Sequence, residues 1–135
     1  MPTVNKFEDL RVWKTAREIV NEIYTITKRA PFSKDFVLID QIRRAAISVM
    51  SNIAEGFESA SDKKFANYVN IAKASAGECR SQVYVSIDQG YISQQKGNEL
   101  LNRLISISRQ LSKLETYLRN GSSDGTNEPE TKYDF

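Results

Sequence analysis

Apolar residues recur three and four positions apart along most of the chain, and the recurrences fall into four blocks separated by turn-forming residues. The first runs from Phe7 to Arg29 on Trp13, Ala16, Ile19, Val20, Ile23 and Ile26. Asp9 is a candidate cap at its start, and Pro31 forces Ala30 out of helical geometry at its end. The second block, 34–56, opens behind Ser33 as N-cap and closes at Gly56, a residue free to take the left-handed conformation of a helix stop. The third, 62–90, has a coiled-coil-like seam of Phe65, Tyr68, Val69, Ala72, Ala76, Cys79, Val83 and Ile87. Gly77 interrupts it at a cost of about 1 kcal/mol relative to alanine, which points to close approach by the small residues of the second block. The fourth, 94–120, starts behind Ser93 and carries Leu100, Leu104, Ile107, Leu111, Leu114 and Leu118. Four amphipathic helices with short links predict an all-α protein, an antiparallel up-down-up-down four-helix bundle over 1–121. From Ser122 the periodicity stops, and 122–135 is expected to be a disordered acidic tail.

The second block has a feature that an ordinary surface helix lacks. Beside its apolar stripe of Ile42, Ala45, Ala46, Val49 and Ile53 runs a polar one, with Arg44, Ser48, Ser51 or Asn52, and Glu55. Small residues surround these polar positions, which suits a helix packed on more than one side. Arg43, Arg44, Asn52, Glu55 and, from the third helix, Glu78 are expected to form a structural polar network, with Arg44 pairing a buried carboxylate. The competing chemical reading places Mg²⁺ on Glu55, Glu78 and Asn52 through waters. The spacing matches no metal signature, so the network is preferred. Phe57 and Trp13 are candidate anchors for self-association through the first two helices.

Composition then narrows the chemistry. The chain has no histidine, which removes the usual general acid–base, the Ser-His and Cys-His arrangements and the Glu-x-x-His pair of di-iron bundles. Its one cysteine, Cys79, lies on a core seam and reads as packing; a single thiol also fits a reducing, cytoplasmic compartment. No apolar run is long enough to span a bilayer, and MPTVNKFEDL has no signal-peptide core. No catalytic residue, cofactor site or metal site is assigned, and the chain reads as a non-enzyme.

The formal charge of +2 hides an uneven distribution. Residues 1–121 carry 18 basic and 13 acidic side chains, a net +5; residues 122–135 carry four acidic and one basic, a net −3. Arg11 and Lys14 on the first helix and Arg109 and Lys113 on the fourth are the candidate contacts to nucleic-acid phosphates. One subunit at +5 binds a polyanion weakly; a ring of copies multiplies the charge.

Several strings carry a family resemblance: FEDLRVW at 7–13, Pro31, QIRRAAISVMSNIAEG at 41–56, and Phe65 with NIAKASAGE at 70–78. Together they resemble the four-helix-bundle proteins encoded by intervening sequences within 23S rRNA genes. The resemblance spans roughly residues 7 to 120. It implies an antiparallel bundle that assembles into a homo-oligomeric ring, a pentamer, and a kinship of architecture with the accessory protein of diversity-generating retroelements, a basic barrel that binds nucleic acid and a reverse transcriptase. Two positions depart from the family pattern. Glu78-Cys79-Arg80-Ser81 stands where the family often has Glu-Leu-Glu-Thr, and Phe57-Glu58-Ser59 follows NIAEG where a basic residue is common. The expectation is an oligomeric adaptor for RNA or DNA; the alternative is a structural or protein-binding subunit whose partner supplies the activity.

Overall fold

Capping chemistry decides where the helices begin. Asp35, rather than Ser33, caps the second helix: its Oδ1 accepts from Leu38 N–H at 3.1 Å, while Ser33 sits inside a short 3₁₀ turn, Phe32–Lys34. Ser61 caps the third through Lys64 N–H at 3.2 Å, and Ser93 the fourth through Lys96 N–H at 3.0 Å, the latter as the sequence predicts. At the N-terminus the expected long helix is divided. Phe7–Asp9 form a 3₁₀ turn, Leu10 is extended, and the α-helix starts at Arg11 behind a residue with no capping side chain. In this computed structural model, which describes residues 4–120 and 135, the resulting elements are α1 (Arg11–Thr27), α2 (Phe36–Phe57), α3 (Asp62–Asp88) and α4 (Gln94–Asn120). Of the disordered tail expected over 122–135, residues 122–134 lie outside the described residues, and Phe135, which is described, packs half-buried against the core.

Inter-helix contacts give the direction of each helix. Ser48 of α2 meets Ser75 of α3, and Gly56, further along α2, meets Phe65 and Tyr68, earlier in α3. Lys73 and Asn67 of α3 likewise meet Glu115 and Arg119 of α4 in reversed order. Neighbours are therefore antiparallel, and α1 packs on both α2 and α4 to close the bundle. One core runs through it. The six predicted α4 seam residues are all buried, and Ile23, Ile42, Ile53, Val69, Val83, Leu104 and Leu111 are fully enclosed.

Two glycines depart from their expected roles. Gly56 is buried within helical α2, not left-handed at its end; a Cβ there would lie 2.7 Å from Phe65 Cδ1 and 2.8 Å from Tyr68 Cβ. Gly77, expected at a close approach, has nothing within 4 Å of a Cβ position. The tight α2–α3 crossing thus falls at the end of α2, where helix meets helix beside a short link. Only Gly90 among the described residues has a positive φ, 76°, and it terminates α3. Beyond it, Tyr91 stacks on Phe32 at 4.8 Å and donates to Asp35 Oδ2 at 2.9 Å, tying the α1–α2 connection to the α3–α4 turn.

Trp13 does not serve as an exposed anchor. It is buried, with Phe7 edge-on at 5.2 Å and the Arg17 guanidinium 5.7 Å from the ring centroid, and Phe57 packs edge-on against Phe65. Among the described residues, the large apolar side chains that do reach the surface are Phe36, Val37 and Ile47 on α2 and Ile71, Tyr84 and Val85 on α3.

Candidate nucleic-acid interface

The seam between α1 and α4 changes sign along its length. In the half toward the end of α1, the acidic Glu18 and Glu22 face basic residues of α4. Arg103 bonds both, reaching Glu18 at 2.5 Å, and Lys96 reaches Glu22 at 3.1 Å. These bridges neutralise that half and set the register of the two helices. In the other half both helices are basic. Arg11 and Lys14 come from the first turn of α1, Arg109 and Lys113 from the second half of α4, and all four are exposed. Arg11 and Lys113 line one cleft of about 410 Å³ with Thr15, Gln110 and Phe135. Lys14 and Arg109 are exposed but are not among its lining residues. Among the described residues, Lys14, Arg109 and Lys113 form no ion pair, whereas Arg44, Lys73, Lys96, Arg103 and Arg119 each hold a carboxylate. Thr15 and Gln110 add neutral donors, the side chains that commonly accompany cations on phosphate. Sequence periodicity alone missed these two because each looks like an unremarkable exposed position.

The polar stripe of α2 divides into local contacts. Arg43 stacks over Tyr24 at 4.3 Å and donates Nε–H to Thr27 Oγ1 at 2.9 Å, so it binds α2 to α1. Arg44 is 78% exposed and pairs with Asp40, itself 62% exposed, one turn earlier on its own helix. It does not reach a buried carboxylate. Asn52 donates to Ser48 O at 2.8 Å and to Ser48 Oγ at 3.0 Å, and Ser48 in turn meets Ser75 at 2.7 Å across the α2–α3 contact. Glu78 accepts from Gln82 one turn on, and Glu55 is exposed. The Ser48–Ser75 register places Glu78 level with Arg44 and Ala45, and Glu55 level with Tyr68. The two carboxylates therefore stand about ten residues, or about 15 Å, apart along the helices, too far to share one ion within a subunit. A simple mutational contrast follows. Arg43→Ala is expected to cost about 1–2 kcal/mol, through the lost hydrogen bond and ring contact. Arg44→Ala should stay within about 0.5 kcal/mol, as an exposed pair on one helix. Urea unfolding of both variants checks the difference.

Reactive chemistry is sparse elsewhere. Burial, reinforced by the neighbouring Glu78 charge, pushes the Cys79 thiol up to about 12, so it is a packed side chain and a poor nucleophile. Accepting from Tyr91, the Asp35 carboxylate raises that phenol above its ordinary range, away from acid–base work near neutrality. No group of three potential ligating side chains gathers among the described residues, and no described helix is long and apolar enough to cross a membrane. A second cleft, about 490 Å³ at the opposite end of the α1–α4 seam, is lined by Glu22, Lys96, Arg29 and Tyr91 among others, but its Glu22 and Lys96 are already paired with each other.

Fold and surface together define a histidine-free antiparallel four-helix bundle with one basic end on its α1–α4 seam. The chain belongs to the family of 23S rRNA-intervening sequence proteins, whose pattern it matches over residues 8–113. It is also similar to a solved structure from Bacteroides thetaiotaomicron, described as a protein with unknown function from the S23 ribosomal protein family. The two are 26% identical and superpose with a TM-score of 0.71, over 77% of this chain and 97% of that one. No curated protein matches the sequence.

Proposed function

We propose that this protein is a non-enzymatic, cytoplasmic, oligomeric adaptor that binds the phosphate backbone of RNA or DNA through the basic end of its α1–α4 seam. The observation that carries the reading is that Arg11 and Lys113 share one cleft, while Lys14, Arg109 and Lys113, exposed on the same halves of α1 and α4, lack carboxylate partners among the described residues. Like charges held together destabilise a subunit, so their clustering favours a bound polyanion over a surface that is merely solvated. Assembly is supported separately. Phe36 and Val37 are 78% and 71% exposed, and with Ile47, Ile71 and Val85 they give α2 and α3 an apolar face suited to other copies of the chain. That face lies on the helices away from the basic seam, so a ring built through it would carry several basic ends outward, in line with the pentamer implied by the resemblance.

With no base-reading element in the fold, contacts should be sequence-tolerant and electrostatic. A ring that neutralises six phosphates of a duplex should lose about 10³-fold in affinity between about 50 and 200 mM salt. Gel shifts of a 30-mer duplex and its single strands, run with light scattering on the same samples, test both halves of the proposal. An assembled protein that shifts neither ligand at low salt would sink it. The same apolar face would then favour the second reading, a structural subunit that docks on another protein.

A further inference from the structure

The first turn of α1 lacks everything that normally satisfies a helix start. Its N-cap is Leu10, with no side-chain acceptor, and the first turn holds no acidic residue, whereas α2 and α3 are capped by Asp35 and Ser61. The missing acceptor comes from the far end of the sequence. The Phe135 backbone oxygen accepts from Val12 N–H at 2.5 Å, and the Phe135 ring lies 5.9 Å from that of Tyr117, tilted by 41°. Phe135 is half-buried on the core and lines the 410 Å³ cleft with Arg11, Thr15, Gln110 and Lys113. One residue thus meets an apolar wall on α4 and a polar, positively charged floor on α1.

We propose that the surface formed by Val12 and Tyr117 is a peptide-docking site for an aromatic side chain borne on an acidic segment, that Phe135 is its occupant and forms one wall of the adjoining cleft, and that Phe135 and polyphosphate compete for Arg11 and Lys113. Three observations converge on that class of ligand. Tyr117 supplies an aromatic contact for the ring. The uncapped helix start and two cations favour acceptors and negative charge. The sequence that leads into Phe135 supplies that charge, with Asp134 directly before it and Asp124, Glu128 and Glu130 upstream. The connection is long enough: fourteen residues lie between Asn120 and Phe135, fifteen Cα steps with a reach of up to about 50 Å, and the α4 side of the cleft is Gln110 and Lys113, within the last three turns of that helix. Only the competing ligand rests on the proposed function; the docking site stands on Phe135, Val12 and Tyr117.

The test uses the full chain and its Phe135→Ala variant. The Val12 amide, observed by NMR, should exchange with solvent at least ten-fold faster in the variant. A labelled synthetic peptide of residues 126–135 should bind that variant in a fluorescence-anisotropy titration and restore protection of Val12, while the same peptide carrying Phe135→Ala should do neither. A single-stranded thymidine 20-mer should bind the variant at least three-fold more tightly than wild type, and adding the peptide should reverse the gain. Unchanged Val12 exchange, or equal binding of the two peptides, overturns the docking site. Equal oligonucleotide affinity for both proteins overturns the competition. If neither protein binds the oligonucleotide, the adaptor reading fails, and the Val12 and peptide measurements still decide the site.

Discussion

Replacing Arg11, Lys14, Arg109 and Lys113 together by glutamate is expected to lower nucleic-acid affinity at least about 100-fold at moderate salt and leave the oligomer intact. The variant changes each subunit by eight charges, taking residues 1–121 from +5 to −3. Every copy in an assembly then repels the ligand that its wild-type counterpart attracts, so the loss compounds across the ring. Folding should be little affected, since all four side chains are exposed and three of them form no ion pair among the described residues. Light scattering and thermal unfolding provide the controls, and gel shifts across a salt series provide the readout. A variant that binds as tightly as wild type would move the contact surface off the α1–α4 seam.

Opposite stability changes are expected from the same substitution at two glycines. Gly56→Ala should destabilise the protein by about 1–3 kcal/mol, because the new methyl group would overlap Phe65 and the Cβ of Tyr68. The Tyr68 atom is fixed to the α3 backbone, so relief requires the two helices to separate. That cost exceeds the gain of about 1 kcal/mol in helix propensity. Gly77→Ala faces no such neighbour and should stabilise the protein by about 0.5–1 kcal/mol through propensity alone. Denaturant unfolding of the two variants at matched subunit concentration separates them. A stabilised Gly56→Ala would mean that α2 and α3 are not in close contact at that point.

The helices themselves were legible in the sequence, since their existence rests on local periodicity. The α4 seam is buried at every predicted position, and helix ends were placed within a residue or two for α3 and α4, where Ser61 and Ser93 are the caps. The ends were misplaced where two capping residues compete, as Ser33 and Asp35 do, and where the apolar pattern continues through a 3₁₀ turn, as at Phe7–Asp9. The histidine-free composition, the split in charge and the four candidate cations were also visible without coordinates.

What periodicity leaves open is which partner each helix face meets. The face of α2 that bears Arg44 looks like a buried polar stripe when only its small neighbours are counted, yet Arg44 and Glu55 are exposed, while Arg43 turns inward to Tyr24 and Thr27. One helical step of 100° separates Arg43 from Arg44, and only the position of α1 decides which of them is covered. The same holds for Gly56 and Gly77: the sequence reading places a helix stop at the first and the close approach at the second, and the crossing point of α2 and α3 puts the close approach at Gly56 instead. By itself the sequence determined four amphipathic helices and a chemistry without histidine. The tertiary structure alone decided the antiparallel register, which separates Glu55 from Glu78, assembles the basic end from α1 and α4, and brings Phe135 onto Val12. Local patterns fix what a segment can bury; only the packed arrangement of all four helices fixes what it is buried against.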